Sequence, residues 1–341
     1  MDSICSFTPP AALAPAYHLA EGQLQELSGL IENRLRHDNP FLEEVFGYGF
    51  RLGGKRLRPL LVFLSGKAVG EVKEDHLRAA AALEMIHTGT LIHDDILDGA
   101  NIRRHLQTLN IRWDPRTAVL AGDCLLTQAI HLTTEIDDTT CYRSVALACR
   151  KTCEGELLQT ALQGEFGMTE DDYYRVIRGK TASLLECSAR LGAYFGGASA
   201  KCVERFAFYG QGLGMAFQIL DDLLDLEGET ESMGKTLGTD LINRKPTLPL
   251  ILFLANAGAA ERERVLSLLN KDNPTSEDLA AVTGSLRDAG CLTAARRQAE
   301  RFVADALASL DKTCPVMMTA EQTDAYAALE SVANFVLSRN C

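Results

Sequence analysis

Apolar residues recur every three and four positions along most of this chain. Leu24, Leu27, Leu30, Ile31 and Leu35 set the pattern, which is the period of one face of an α-helix. Strand-like alternation is rare and β-branched runs are short. Asn39-Pro40, Asp114-Pro115 and Asn273-Pro274 read as helix boundaries, because proline bends its predecessor away from helical backbone. After the last of them, Thr275 to Asp278 opens a late helix, with Glu277 and Asp278 near its positive end. Residues 77–98 and 206–225 lack a clean polar stripe and are predicted to be core helices packed on both sides. Gly53-Gly54 and Gly196-Gly197 read as turns, and no Pro/Gly-rich linker divides the chain. The pattern predicts an all-α, single-domain bundle of long helices over 18–341, preceded by a loose tail over 1–17.

Two acidic clusters of one design stand inside the apolar helical segments, Asp94-Asp95-Ile-Leu-Asp98 and Asp221-Asp222-Leu-Leu-Asp225. Positions i, i+1 and i+4 share one side of a helix, where like charges repel. Two matching clusters in apolar surroundings ask for a shared cation. Mg2+ takes oxygen ligands and typically joins a few carboxylates to substrate phosphates. The spacing therefore predicts a Mg2+-diphosphate site.

Composition narrows this picture. The 341 residues are 46% hydrophobic and 23% charged, as in ordinary globular proteins. A net charge of −12 without a broad basic stripe excludes a nucleic-acid footprint. Ten cysteines form no CxxC pair and read as reduced thiols. No apolar run reaches the roughly 18 residues of a membrane span. Met1 to Tyr17 has no basic region of the secretory kind. A cytoplasmic protein is expected.

The cations are isolated rather than spread. They fall in Gly53-Gly54-Lys55-Arg56-Leu57-Arg58-Pro59, in Arg103-Arg104, in Gly179-Lys180-Thr181, and in Gly234-Lys235 with Lys245. A glycine turn followed by Lys and Arg presents N–H groups and cations to an anion. Two anionic substrates fit this arrangement, one bridged by metal and one held by Arg and Lys directly. Apolar helices beside them suit a hydrocarbon on at least one substrate.

The motifs in order are Gly53 to Pro59, Leu91 to Asp98 with Arg103-Arg104, Gly155-Glu156 to Gln159, Lys180-Thr181, Phe217 to Asp225, and Gly234-Lys235 through Asp240 to Pro249. In this order and spacing, over about residues 40–255, the chain resembles the trans-isoprenyl diphosphate synthases. The resemblance implies a helical bundle around a central cavity, head-to-tail condensation of isopentenyl diphosphate with an allylic diphosphate, and a homodimer. It implies three Mg2+ per site with diphosphate bound, held by Asp94, Asp95, Asp98, Asp221, Asp222 and Asp225. Arg103, Lys180, Lys235 and Lys245 would meet the allylic diphosphate. Lys55, Arg58, His87 and Arg104 would hold isopentenyl diphosphate, and Thr181 and Gln218 would lie beside the reacting carbons. Glu156 and Gln159 would orient cations or waters, and His93 is assigned to structure. Two departures stand out: His105 follows Arg103-Arg104 where the family usually has Gly, and Asn243-Arg244 replaces an acidic residue and Gly before Lys245.

Product length follows from the residues before Asp94. Thr90 and Gly89 are small where short-chain members often carry a bulky residue. Gly89 reads as room for the growing chain, or as tight helix packing. Met85, Cys124 and Ile130 are candidates for the floor. The expected product is a long all-trans polyprenyl diphosphate of about six or more isoprene units, with geranylgeranyl or farnesyl diphosphate as the alternative. A class I terpene cyclase fits less well, because it usually lacks the second aspartate cluster and needs no isopentenyl site. A non-catalytic partner subunit would typically lose aspartates. Whether product release involves a peripheral membrane contact is left open.

Overall fold

A computed structural model of the chain describes residues 9–52, 54–227, 238–271, 273–311 and 318–338. Long helices carry these residues. They include α1 (Ala14–Leu19), α2 (Glu21–Leu35), α3 (Pro40–Arg51), α4 (Leu57–Val69) and α5 (Glu74–Leu97). A two-stranded hairpin follows, β1 (Ile102–Arg103) and β2 (Leu106–Gln107), then α6 (Leu109–Arg112), α7 (Pro115–Thr134) and α8 (Thr139–Ala161). Next come α9 (Glu170–Ile177), a π-helical turn at Arg178–Ala182, α10 (Ser183–Phe195) and α11 (Ala200–Glu227). Shorter helices at Leu248–Asn256, Ala259–Leu269 and Ser276–Asp288 precede two longer ones, Cys291–Asp311 and Ala320–Leu337. The all-α reading holds.

The predicted boundaries have physical causes. The Asn39 side chain accepts from the Phe41 N–H and caps α3, with Pro40 in the first turn. Asp114 does the same for α7 through Thr117. Thr275 and Asp278 form a reciprocal capping box at the start of Ser276–Asp288.

The chain divides into two compact units. One comprises Met1–Cys149, Leu184–Gly210 and Leu310–Val332, the other Arg150–Ser183, Gln211–Ser309 and Ala333–Cys341. In the first, α5 lies along α7 and also packs on α4. Ala79 to Leu83, Met85 and Ile86 are buried in succession, so α5 is enclosed on all sides as its sequence predicts. Each fully buried Leu, Met or Ile side chain contributes about 1.5–3 kcal/mol. The tail is a correction. Residues 11–19 form a short 3-10 turn and α1, and Leu13, Ala16, Tyr17 and Ala20 are buried. Their spacing is one helical face.

Candidate active site

In the first unit, α5 carries Asp94 and Asp95 in its last turn, and Asp98 caps its C-terminus. Asp94 is half-buried, Asp95 buried and Asp98 exposed. The β1–β2 hairpin folds back on this end. Ile102 pairs with Gln107 and Arg103 with Leu106, leaving Arg104-His105 as a two-residue turn. Both turn residues have left-handed backbone, with φ of 52° and 64°, as a tight hairpin turn of this hand demands. Glycine adopts that conformation freely, whereas His105 adopts it at some cost. The turn sends Arg103 to Asp95, where its Nε donates to both carboxylate oxygens at 2.9 and 3.1 Å.

About two and three turns earlier on α5, His87 and Glu84 meet the basic segment at the start of α4. Arg56 has a left-handed φ of 49°, and this kink turns its guanidinium inward over the Phe50 ring, 4.9 Å from the centroid. Arg56 Nη1 lies 3.2 Å from Glu84 Oε1, with 8% and 1% of the two side chains exposed. Glu84 Oε2 and Arg58 Nε are buried without a hydrogen-bond partner among the described residues. Burial lowers Arg58 to about 10, against the opposing pull of Glu84. His87 is held well below the usual histidine range by burial, and then by Arg58, Arg103, Arg104 and Arg56. It is therefore a neutral imidazole ringed by four guanidiniums. Arg104 also comes close to Gly54, where a Cβ would stand 2.9 Å from its mobile Nη2. Lys55 is exposed, and its carbonyl accepts from the Tyr17 hydroxyl.

The second unit arranges the other cluster. The π turn at Arg178–Ala182 carries Lys180 and Thr181, and such turns are common at functional sites. α8 and α11 approach it closely. A Cβ on Gly155 would lie 2.3 Å from Lys180 N, and one on Gly214 would lie 2.4 Å from Ala182 Cα. Lys180 Nζ is 2.7 Å from Glu156 Oε1, an ion pair between the π turn and α8. Thr181 donates to Gln218 Oε1 at 2.6 Å, Gln218 Nε2 donates to Asp222 Oδ1 at 2.9 Å, and Tyr173 donates to Asp222 Oδ2 at 2.6 Å. Burial raises Asp222 to about 8, with Asp240 and Asp221 adding to the rise and the Tyr173 and Gln218 bonds opposing it. Asp225 is turned to structure: its carboxylate accepts from the Thr239 and Asp240 N–H groups, and its carbonyl from Gly238. Lys245 is half-buried and its N–H donates to the Asp240 carbonyl. Lys235 lies outside the described residues.

The donor chemistry of both clusters fits a hard divalent cation. No three His, Cys, Asp or Glu side chains converge on one point among the described residues. The crowding of Asp222 by Asp221 and Asp240 is nevertheless an excess of negative charge that a divalent cation would relieve.

The chain-length residues divide. Met85 is buried, and Thr90 is half-buried with its hydroxyl on the His87 carbonyl. Gly89 is a helix contact: a Cβ there would lie 3.1 Å from the Gly122 carbonyl and 3.3 Å from the Leu126 side chain. Of the two readings of Gly89, this contact favours tight helix packing over room for the growing chain. Cys124 and Ile130 are exposed on α7. The face toward α5 instead carries Gly122, Leu125 and Leu126, which corrects their placement as a floor.

Residues 39–286 match the polyprenyl synthetase family. The chain belongs to that family. It is 34% identical to the geranylgeranyl diphosphate synthase of Saccharolobus solfataricus over 264 residues, 75% of this chain and 80% of that one. The crystal structure of a decaprenyl diphosphate synthase from Rhodobacter capsulatus is similar, with a TM-score of 0.88 and 34% identity over 95% of this chain and 98% of that chain. A polyprenyl synthase from Caulobacter crescentus, complexed with calcium and isoprenyl diphosphate, gives 0.86 and 32% over 98% and 100%. As a polyprenyl synthetase the chain is a trans-prenyltransferase. Sequence reasoning quoted Arg56 and Asp240 within its motifs without giving them a role, and missed Glu84 and Tyr173; Glu84 left a signal, a lone acid in the apolar run Ala79 to Ile86.

Proposed function

We propose that this polyprenyl synthetase condenses isopentenyl diphosphate head-to-tail with an allylic diphosphate, giving a product of about six or more isoprene units. The observation that carries the reading is the neutral His87 among Arg56, Arg58, Arg103 and Arg104 in a chain of net charge −12. Four guanidiniums gathered on Glu84 and Asp95, with Arg56, Arg58 and Arg103 buried or half-buried, suit a second diphosphate, which a cyclase does not need.

Asp94, Asp95, Asp98, Asp221 and Asp222 are assigned to Mg2+, with Asp225 contributing through the backbone it holds. When bound, Mg2+ stabilises the diphosphate leaving group as the allylic C–O bond breaks. Lys180 and Arg103 add their charges to that diphosphate. Thr181 and Gln218 face the carbocation with polar, non-basic oxygens. His87, held neutral by its surroundings, binds the isopentenyl diphosphate by donating a hydrogen bond. No strong protein base is required, since the departing diphosphate accepts the proton. The small Thr90 one turn before Asp94 supports a long product.

A homodimer is part of this reading. α7 exposes Val119, Leu120 and Ile130, and the first half of α8 exposes Tyr142 and Leu147, an apolar surface suited to a second copy. No helix among the described residues is long and apolar enough to cross a membrane.

The test is incorporation of radiolabelled isopentenyl diphosphate with Mg2+ and separate geranyl, farnesyl and geranylgeranyl primers. A ladder past geranylgeranyl length is expected. Arrest at geranylgeranyl length keeps the chemistry and replaces the long product, and no incorporation with any primer overturns the reading.

A further inference from the structure

Gln218 has an amide with two different ends, and only one suits a developing carbocation. The carbonyl oxygen offers lone pairs, whereas the NH2 group offers protons. In this chain the choice is made by Asp222 on the same helix, itself held by Tyr173 of another. Asp222 accepts a hydrogen bond at each of its carboxyl oxygens. Its Oδ2 is taken by the Tyr173 hydroxyl at 2.6 Å, and its Oδ1 takes the Gln218 NH2 at 2.9 Å. The Gln218 oxygen is thereby turned to the opposite side, where it accepts from Thr181 at 2.6 Å and keeps a second lone pair.

Tyr173 is set in place for this task. It lies on α9, seven residues before Lys180, with 3% of its surface exposed. Its ring packs edge-on to Tyr174 at 5.7 Å, and Tyr174 packs on Phe302 at 5.6 Å. The hydroxyl therefore meets Asp222 from a fixed ring. A buried phenol donating to a buried carboxylate is a strong bond, and without it Asp222 is free to turn about its χ2 and release the amide.

We propose that Tyr173 is a positioning residue for the prenyl transfer. By pinning Asp222 it fixes the Gln218 amide, so that oxygen and not nitrogen faces the reacting carbons together with Thr181. The inference rests on the assignment of the chain as a head-to-tail prenyltransferase.

The experiment uses the full chain with Mg2+, farnesyl diphosphate and isopentenyl diphosphate. Small misplacements of reacting partners cost about 10²-fold in rate. Tyr173→Phe is expected to lower kcat by about tenfold to a hundredfold, while leaving the KM for isopentenyl diphosphate, held by other residues, within about twofold. Gln218→Leu is expected to be slow as well, and the double variant Tyr173→Phe/Gln218→Leu no slower than Gln218→Leu alone, because Tyr173 acts through the amide. Genetically encoded 4-aminophenylalanine at position 173 should restore kcat, and 4-methylphenylalanine, matched in size but unable to donate, should not. That pair decides the matter even if the phenylalanine variant does not fold. Full activity of the 4-methylphenylalanine enzyme, or effects of Tyr173→Phe and Gln218→Leu that multiply, overturns the role of Tyr173 alone. A wild-type protein inactive with every primer overturns the prenyltransferase reading, and the inference with it.

Discussion

Glu84 and Arg56 form a buried ion pair inside the first compact unit: Nη1 and Oε1 are 3.2 Å apart, and less than a tenth of either side chain is exposed. The pair does more than join α5 to the loop before α4. Glu84 also pulls on Arg58, and its second oxygen is unpartnered. It is the counterion that lets two guanidiniums stay together in a desolvated place.

Breaking one half of such a pair leaves an uncompensated charge and costs on the order of 3–5 kcal/mol. Glu84→Gln is therefore expected to lower the unfolding midpoint in urea and to raise the KM for isopentenyl diphosphate, because Arg56 and Arg58 lose their anchor. Unfolding curves beside initial rates check both effects. Unchanged stability would remove the anchoring role.

The fold was legible because burial on all sides leaves an all-apolar run, as in α5 and α11. The aspartates and Lys180 were legible because charge inside such runs has few structural uses. Other members were not, since their meaning comes from a distant partner. Tyr173 meets Asp222 across 49 positions of sequence, and Arg56 meets Glu84 across 28. The α7 floor shows a different limit. On a helix one residue is a rotation of about 100°. Cys124 is exposed while Leu125 and Leu126 face Gly89. The tail failed for a simpler reason: Pro9, Pro10 and Pro15 masked the helical spacing of Leu13, Ala16, Tyr17 and Ala20.

His76 gives the fold a pH dependence. Its Nδ1 accepts from the Lys73 N–H at 2.9 Å, capping α5, and its Nε2 lies 3.1 Å from the Gly192 carbonyl, so the ring is neutral with the proton on Nε2. Burial, with Lys73 as a lesser cause and Asp75 opposing, lowers it to about 4 from 6.5. The unfolded chain then binds the extra proton first. Stability is full above about pH 6.5 and is lost as pH falls toward 4, on the order of 2 kcal/mol by pH 5. His76→Gln should flatten that slope between pH 7 and 5 in urea titrations. Parallel curves for the two proteins would rule the histidine out as the source.

Asp225 and Asp221 should separate by kind of damage. Asp225 accepts from the Thr239 and Asp240 N–H groups, and loss of a cap costs about 1 kcal/mol. Asp225→Ala is expected to lose stability of that order, and Asp221→Ala to lose kcat by about 10²-fold or more with an unchanged unfolding midpoint. Kinetics over a Mg2+ titration, beside thermal unfolding, measure both. Equal kinetic losses would return Asp225 to the set of direct metal ligands.

Gly89 and Thr90 are neighbours with opposite expectations. A Cβ at Gly89 already meets the Gly122 carbonyl at 3.1 Å, and backbone cannot give way as a side chain does. Gly89→Phe should force α5 from α7 and destabilise the chain by about 1–3 kcal/mol or more. Thr90 is half-buried, and its hydroxyl only bonds back to the His87 carbonyl. If the growing chain passes this wall, a ring at Thr90 obstructs it with little harm to packing. Thr90→Phe is therefore expected to fold normally and to shorten the product, seen by chromatography of the dephosphorylated alcohols after incubation with farnesyl and isopentenyl diphosphates. A product ladder identical to wild type from a folded Thr90→Phe enzyme would place the hydrocarbon path elsewhere and remove the support that Thr90 gives to a long-chain product.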